Sequence, residues 1–270
     1  MYRASLFDKF LNLINPDECI ISGELLQNDR DYRYLSSEKL LELSPPPHPL
    51  IVRDRLLSEY NPDDLGISKI ISLFKISDNH NILNSIHKFK YLGISQIGTE
   101  FGNMISNLIN PEDYDLIIPI PIHHARRRER GFNQSEVIGQ SISDVTKIPM
   151  DENILERTRY TYSQAKLNRT ERKSNLDKKF KVSNSNLVYG KRVLLIDDVL
   201  TTGTTANECA VKLLKSGTRR VDLAVIAVSY WIPLPLAESG THNVVSSPLV
   251  FRKVASFKSE SQKDVPVRLE

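Results

Sequence analysis

Two adjacent carboxylates, Asp197 and Asp198, followed by Thr201, Thr202, Gly203, Thr204 and Thr205, are the residues of this chain best suited to chemistry. Four aliphatic residues, Val193 to Ile196, precede them as a buried strand, so the acid pair emerges at a strand's carboxyl end. An open α/β sheet binds its ligand there. The threonines and glycine then lead into a helix and supply hydroxyls, backbone N–H groups and a residue tolerant of positive φ beside a helix N-terminus, the requirements of a phosphate cradle. Carboxylates accept hydrogen bonds from a diol but repel a bare triphosphate. A sugar phosphate fits the combination better than ATP. No GxxxxGK[ST] loop and no GxGxxG is present, which excludes P-loop and dinucleotide readings.

Basic residues form the second candidate group. The chain carries a net charge of +3, yet residues 126–130 (RRRER) and 156–181 together hold +9, leaving −6 elsewhere. Charge gathered in this way predicts a local anionic ligand or a nucleic-acid face. His123 and His124 precede the first basic run, but adjacent histidines do not readily face one ion, and a place beside phosphate is the simpler reading. His87, in IHKFKY, reads as a packing or positioning residue, and Lys88 and Lys90 as positive charge added near the anionic ligand.

These residues need a scaffold, and from Tyr114 onward the chain alternates short apolar runs with helical patterns, the texture of a doubly wound α/β sheet. The runs are 115–122, 192–197 and 221–230, with helices over 134–146 and 205–216. Upstream, 67–76 reads as a strand and 79–110 as two helices broken at Gly93. An amphipathic helix is expected over 1–15. Residues 16–64 read as a loosely built, acidic subdomain whose SPPPHP run at 44–49 excludes helix and central strand. The Ser-, Pro-, Lys- and Glu-rich stretch 233–270 reads as a weakly structured tail. The expected organisation is therefore 1–66, 67–232 and 233–270. With 270 residues, 40% hydrophobic and 26% charged, collagen-like, disordered and disulfide-scaffold classes are excluded. No apolar run approaches a membrane span, and the opening MYRASLFDKF is charged where a signal peptide is apolar, so a cytoplasmic chain without membrane insertion is expected.

IDDVLTTGTT closely resembles the PRPP-binding motif of type I phosphoribosyltransferases, PRPP being 5-phosphoribosyl 1-diphosphate. Three further segments resemble the ComF subfamily, the competence-protein relatives: IHKFKYLG (86–93), PIPIHHARRRERGFNQ (119–134) and RTRYTYSQAKLNRTERKSNL (157–176). The resemblance covers roughly 70–230. It implies a doubly wound, mainly parallel sheet with helices on both faces, plus a small N-terminal hood. It also implies that Asp197 and Asp198 receive the ribose 2′- and 3′-hydroxyls and that Thr201, Thr202, Gly203, Thr204 and Thr205 cradle the 5′-phosphate. A loop at 121–131 holding Arg126, Arg128, Arg130 and Gly131 would meet pyrophosphate, where guanidinium forks match phosphate oxygens, and Lys88 and Lys90 would add their charge near it. The polar segment 157–181, with Gln164, Arg169 and Arg172, would be a lid that closes over the ribose. Mg²⁺ would arrive mainly through PRPP oxygens, with no direct protein ligand assigned. No general base stands out.

One departure from the family concerns its cysteine-rich zinc module. INPDECIISGEL resembles the start of that module, but Ser22 stands where the second Cys of a CxxC would be and YLSSEKLLEL lacks the later pair. With only Cys19 and Cys209 in the chain, zinc is not expected. The leading expectation is a Mg²⁺-dependent phosphoribosyltransferase that moves phosphoribosyl to an unidentified nitrogenous acceptor and releases pyrophosphate. The alternative is a non-catalytic PRPP-sensing accessory protein of DNA uptake that binds single-stranded DNA. Neither the acceptor nor the oligomeric state has a signature in the chain.

Overall fold

The computed structural model describes residues 18–26, 32–76, 81–91, 95–158 and 179–229. The expected helix over 1–15, the break at Gly93, most of the lid with Gln164, Arg169 and Arg172, and the tail lie outside them. In chain order the elements begin with α1 (Ser37–Leu41), α2 (Pro49–Glu59), β1 (Ile70–Ile76), α3 (Asn81–Tyr91), α4 (Ser95–Ser106), β2 (Leu116–Pro119) and α5 (His124–Arg130). Then follow α6 (Gln134–Thr146), β3 (Leu155–Arg157), β4 (Phe180–Val182), β5 (Arg192–Ile196), β6 (Val199–Leu200), α7 (Thr204–Lys215) and β7 (Arg220–Ser229).

The main sheet runs β1-β7-β5-β2, with β6 also paired to β7 and every pairing parallel. Its register sets Ile117 beside Leu194, Ile196 beside Ala224 and Leu223 beside Ile70. Parallel strands buried on both faces read as continuous apolar runs, as 193–196 and 223–228 do. Alternate side chains serve opposite faces. Leu116, Ile118, Val193, Leu195, Leu223 and Val225 join Val52 and Leu56 of α2 and Cys209, Ala210 and Leu213 of α7 in one core. The other face is covered by α4 and α6, and Phe101 of α4 meets Phe74 of β1 edge to face with centroids 6.3 Å apart. Helices thus cover both faces of a parallel sheet, the doubly wound arrangement expected from the sequence.

Close helix packing depends on Gly102 of α4, where an added Cβ would lie 2.6 Å from Ser141 Cβ and 2.8 Å from the Ile138 carbonyl oxygen of α6. At the amino ends of the strands, the Arg192 guanidinium grips Asp115 with Nε–Oδ2 3.0 Å and Nη2–Oδ1 2.8 Å. The bonds from Arg192 hold the Asp115 carboxyl down to about 2. Asp222, buried at the same end, accepts from the Tyr114 hydroxyl at 2.9 Å, and burial pushes its carboxyl above the usual range.

Two segments are more ordered than the sequence suggested. Within 16–64, the proline run is non-helical only through His48. Pro49 opens α2 at a position where a missing N–H costs nothing, and His48 Nδ1 accepts from Leu50 N at 3.3 Å. Val52 and Leu56 then pack into the sheet's core, at 3% and 1% exposure. The stretch 121–131, expected as a loop, contains the seven-residue α5, capped by His123 Nδ1 on Ala125 N at 3.2 Å and ended by Gly131 at φ 79°. Around Cys19 a short hairpin closes with Glu18 bridged to Leu25 and Gly23 N donating to Cys19 O at 2.7 Å. Cys19 is buried there, and its Sγ accepts from Ser36 N at 3.4 Å. Among the described residues, no helix is long and apolar enough to cross a membrane.

Candidate functional site

The carboxyl edge of the central strands carries the site. Beyond Ile196 the strand continues through the acid pair: Asp197 N donates to Ala224 O at 3.1 Å, and Asp198 O accepts from Ile226 N at 3.0 Å. β6 then resumes the pairing at Val199 and Leu200. Asp197 and Asp198 are therefore held by sheet backbone rather than by a free loop. Asp197 Oδ1 accepts from Asp198 N at 2.9 Å and from Ser135 Oγ at 3.4 Å. Burial pushes the Asp197 carboxyl up to about 7, the Asp198 charge adds to the rise, and the Asp198 amide, Lys90 and Ser135 oppose it. Asp198 Oδ2 receives Lys90 Nζ at 2.7 Å.

After β6 the chain turns through Thr201 and Thr202 into Gly203, whose φ of 78° is left-handed, and α7 begins at Thr204. Gly203 supplies no capping side chain. Orphan amides of the first turn, together with the positive end of the helix dipole, form an anion site at this edge. Thr202 Oγ1 lies 3.0 Å from Thr204 Oγ1, and Thr205 is partly buried behind them. α2 braces the loop from outside: Arg55 donates to the carbonyl oxygens of Thr201 and Ser229, and Tyr60 donates to Thr204 Oγ1 at 3.0 Å. Asn207 of α7 adds bonds to Gly66 N at 2.7 Å and Asp64 O at 2.8 Å. Nothing in residue type or spacing marked Arg55 and Tyr60 in advance, because the contact joins segments far apart in the chain.

The basic run divides by role. Arg126 and Arg128 are exposed and make no ion pair among the described residues, so both remain available to an anion. Arg127 pairs with Glu136 at 2.6 Å, and Arg130 Nη1 donates to Gln134 Oε1 at 3.2 Å, so these two brace α5 against α6. Gly131 is an exposed helix C-cap with open space where a Cβ would stand. Arg157 of β3 also reaches the site. It stacks over Phe180 at 5.3 Å, and burial and the Arg126 charge lower its pKa while Asp197 and Glu208 raise it. His124 is exposed, and His87 is exposed on α3 rather than packed. Among the described residues, no three His, Cys, Asp or Glu side chains gather to hold a metal.

The RGFNQ segment has a structural explanation. Buried Asn133 caps α6 through Oδ1 on Ser135 N at 3.2 Å, and its Nδ2 donates to Ile120 O at 3.0 Å beyond β2. Asn133→Ala removes a cap and a buried donor together, and is expected to lower stability by about 1.5–2.5 kcal/mol in urea denaturation. Asn133→Asp keeps the cap but not the donor and is expected to recover less than half. A loss for the alanine variant under about 0.5 kcal/mol would show that the tie to Ile120 carries no weight.

Comparison with known proteins adds four findings. The profile of the family described as "Phosphoribosyl transferase domain" matches residues 80–230. "Competence protein F" of Haemophilus influenzae is 33% identical over 159 residues, 58% of this chain and 66% of that protein. "DNA utilization protein YhgH" of Shigella flexneri is 30% identical over 179 residues, 66% of this chain and 72% of that protein. Among solved structures, a glutamine PRPP amidotransferase from B. subtilis complexed with ADP and GMP shares 20% identity, covers 47% of this chain and 25% of its own, and superposes with a TM-score of 0.37.

Proposed function

The chain belongs to the phosphoribosyl transferase domain family, in its competence protein F branch, and from that premise we propose that it binds PRPP with Mg²⁺ and transfers phosphoribosyl to a nitrogenous acceptor. The observation that carries this reading is the division of labour at one sheet edge. Two carboxylates fixed by the β5–β7 ladder accept a diol, and a Gly-opened helix start one short strand later takes a phosphate. A ribose 5-phosphate has both groups at one spacing.

Asp197 and Asp198 orient the ribose by accepting from its hydroxyls, and the Thr201–Thr205 amides and hydroxyls fix the 5′-phosphate. Arg126 and Arg128, which pair with no carboxylate among the described residues, stand for the pyrophosphate side. A metal here would be held chiefly by PRPP oxygens, at most shared with Asp197 and Asp198. When bound, Mg²⁺ supplies charge neutralisation for the departing pyrophosphate.

A second reading, a PRPP-sensing accessory of DNA uptake, is favoured by the relatives named for competence and DNA utilization and by the exposed arginines of α5. It shares the ligand and differs in turnover. Calorimetry with PRPP and Mg²⁺ tests the binding step. Wild type is expected to bind, and Asp198→Asn to weaken binding about 10–100-fold, the cost of losing a charge-assisted acceptor. Absence of wild-type binding overturns both readings. A pyrophosphate-release screen across nitrogenous bases then separates them: release above the Asp198→Asn blank supports the transferase. PRPP binding without release, together with salt-dependent binding of single-stranded DNA, supports the accessory protein.

A further inference from the structure

Lys90 ends the apolar face of α3, one residue after Phe89, which is fully buried against Phe132 with ring centroids 5.7 Å apart. That anchorage aims a flexible four-carbon stem at the acid pair, where Lys90 Nζ meets Asp198 Oδ2 at 2.7 Å with both side chains largely covered, at 23% and 14% exposure. Among the described residues no other ion pair joins the acid pair to a cation, and the Lys90 charge offsets the repulsion between adjacent carboxylates.

We propose that Lys90 is a transferable counter-ion: it rests on Asp198 in the free protein and moves to the diphosphate of PRPP when the ribose hydroxyls take its place. This rests on the PRPP reading above. The stereochemistry of the ligand supplies the reason. In PRPP the diphosphate at C1 lies on the same face of the ring as the 2′- and 3′-hydroxyls. A carboxylate that accepts from those hydroxyls is therefore next to the oxygen that leaves, and so is an ammonium already in contact with that carboxylate.

In the transfer, the C1–O bond breaks with its electron pair passing to the diphosphate oxygen. The acceptor nitrogen supplies the pair for the new C1–N bond and releases its proton to water. Lys90 opposes the negative charge gathering on the departing oxygen, a form of electrostatic stabilisation that acts most strongly in the transition state. Arg126 and Arg128 serve the distal phosphate oxygens, which leaves the bridging oxygen to the residue nearest the acid pair.

The exchange makes an asymmetric prediction that simple charge bracing does not. The test is calorimetry on the full chain with three probes: PRPP with Mg²⁺, inorganic pyrophosphate with Mg²⁺, and ribose 5-phosphate, which has the hydroxyls without the diphosphate. Lys90→Met is expected to weaken PRPP and pyrophosphate about tenfold or more while ribose 5-phosphate binds as well as or several-fold better than to wild type, since its rival for Asp198 is gone. Equal weakening of PRPP and ribose 5-phosphate would overturn the proposal and make Lys90 a brace for Asp198, as would unchanged PRPP binding. Lys90→Arg keeps the charge and is expected to retain most PRPP affinity, which keeps the test decisive if the methionine variant melts early. Wild type binding neither PRPP nor ribose 5-phosphate would instead sink the PRPP reading itself.

Discussion

Gly203→Val is expected to lower stability by about 3–5 kcal/mol and to abolish PRPP binding. Two independent costs add. The residue sits at φ 78°, where a β-branched side chain meets its own carbonyl oxygen, a strain of about 1–2 kcal/mol or more. Its Cβ would also lie 2.8 Å from Leu56 Cδ2, and forcing a methyl into a packed contact costs typically about 1–3 kcal/mol. Leu56 cannot yield cheaply, because at 1% exposure it belongs to the core that α2 shares with α7 and the sheet. The two costs separate in a double-mutant cycle. Leu56→Ala makes room for the valine but leaves φ unchanged, so the pair is expected to couple by about 1–2 kcal/mol in urea denaturation while binding stays lost. Gly203→Asn, which tolerates left-handed backbone, is expected to cost less than the valine. A valine variant within about 0.5 kcal/mol of wild type would show that α2 does not brace the loop.

Gly203 shows why some of the site was legible in the sequence. Its signal was local: an apolar run, two acids, small hydroxylated residues and a helix start, all within Arg192–Ala210, each with its own physical meaning. Strand β5 and helix α6 were legible for the same reason, since Gln134–Thr146 carries its apolar period and a capping asparagine in adjacent residues. α5 was not, because HARRRER has no apolar face and gains its order from the His123 and Gly131 caps and from Arg127 pairing with Glu136. α2 was hidden by the proline run, which excludes helix until the chain reaches the one helical position that suits proline. The Arg55, Tyr60 and Arg157 contacts depend on tertiary packing alone. Lys90 was read only as added charge near the pyrophosphate, and its partner Asp198 is visible only once α3 lies beside the sheet edge. Local chemistry was readable, whereas the cations and braces that tune it were assembled from distant segments.

The same tuning predicts that Asp197→Asn stabilises the protein while removing its ligand. A carboxyl whose midpoint rises from 3.8 to about 7 binds its proton more tightly folded than unfolded. Stability from this group is therefore fully present below about pH 4, falls as pH rises through about 7, and then levels, so wild type at pH 8 carries a penalty on the order of 2–4 kcal/mol. Asparagine has no charge to desolvate and none to repel Asp198, and its Oδ1 keeps the bonds from Asp198 N and Ser135 Oγ. The variant's gain in thermal midpoint over wild type should be near zero at pH 4, grow through pH 5–7 and be largest at pH 8. PRPP affinity should fall about 10–100-fold at pH 8, where the wild-type carboxyl is ionised, and the difference should shrink toward pH 5, because a neutral amide is a weaker acceptor for a ribose hydroxyl than a carboxylate. A gain that is flat with pH would mean that Asp197 is ionised at its ordinary pKa in the fold. A destabilised variant would mean that the pair is held by its charges rather than by the strand. Both expected halves follow from one placement, an acid pair kept in the sheet ladder where water is scarce, so the site trades folding stability for a preorganised diol acceptor.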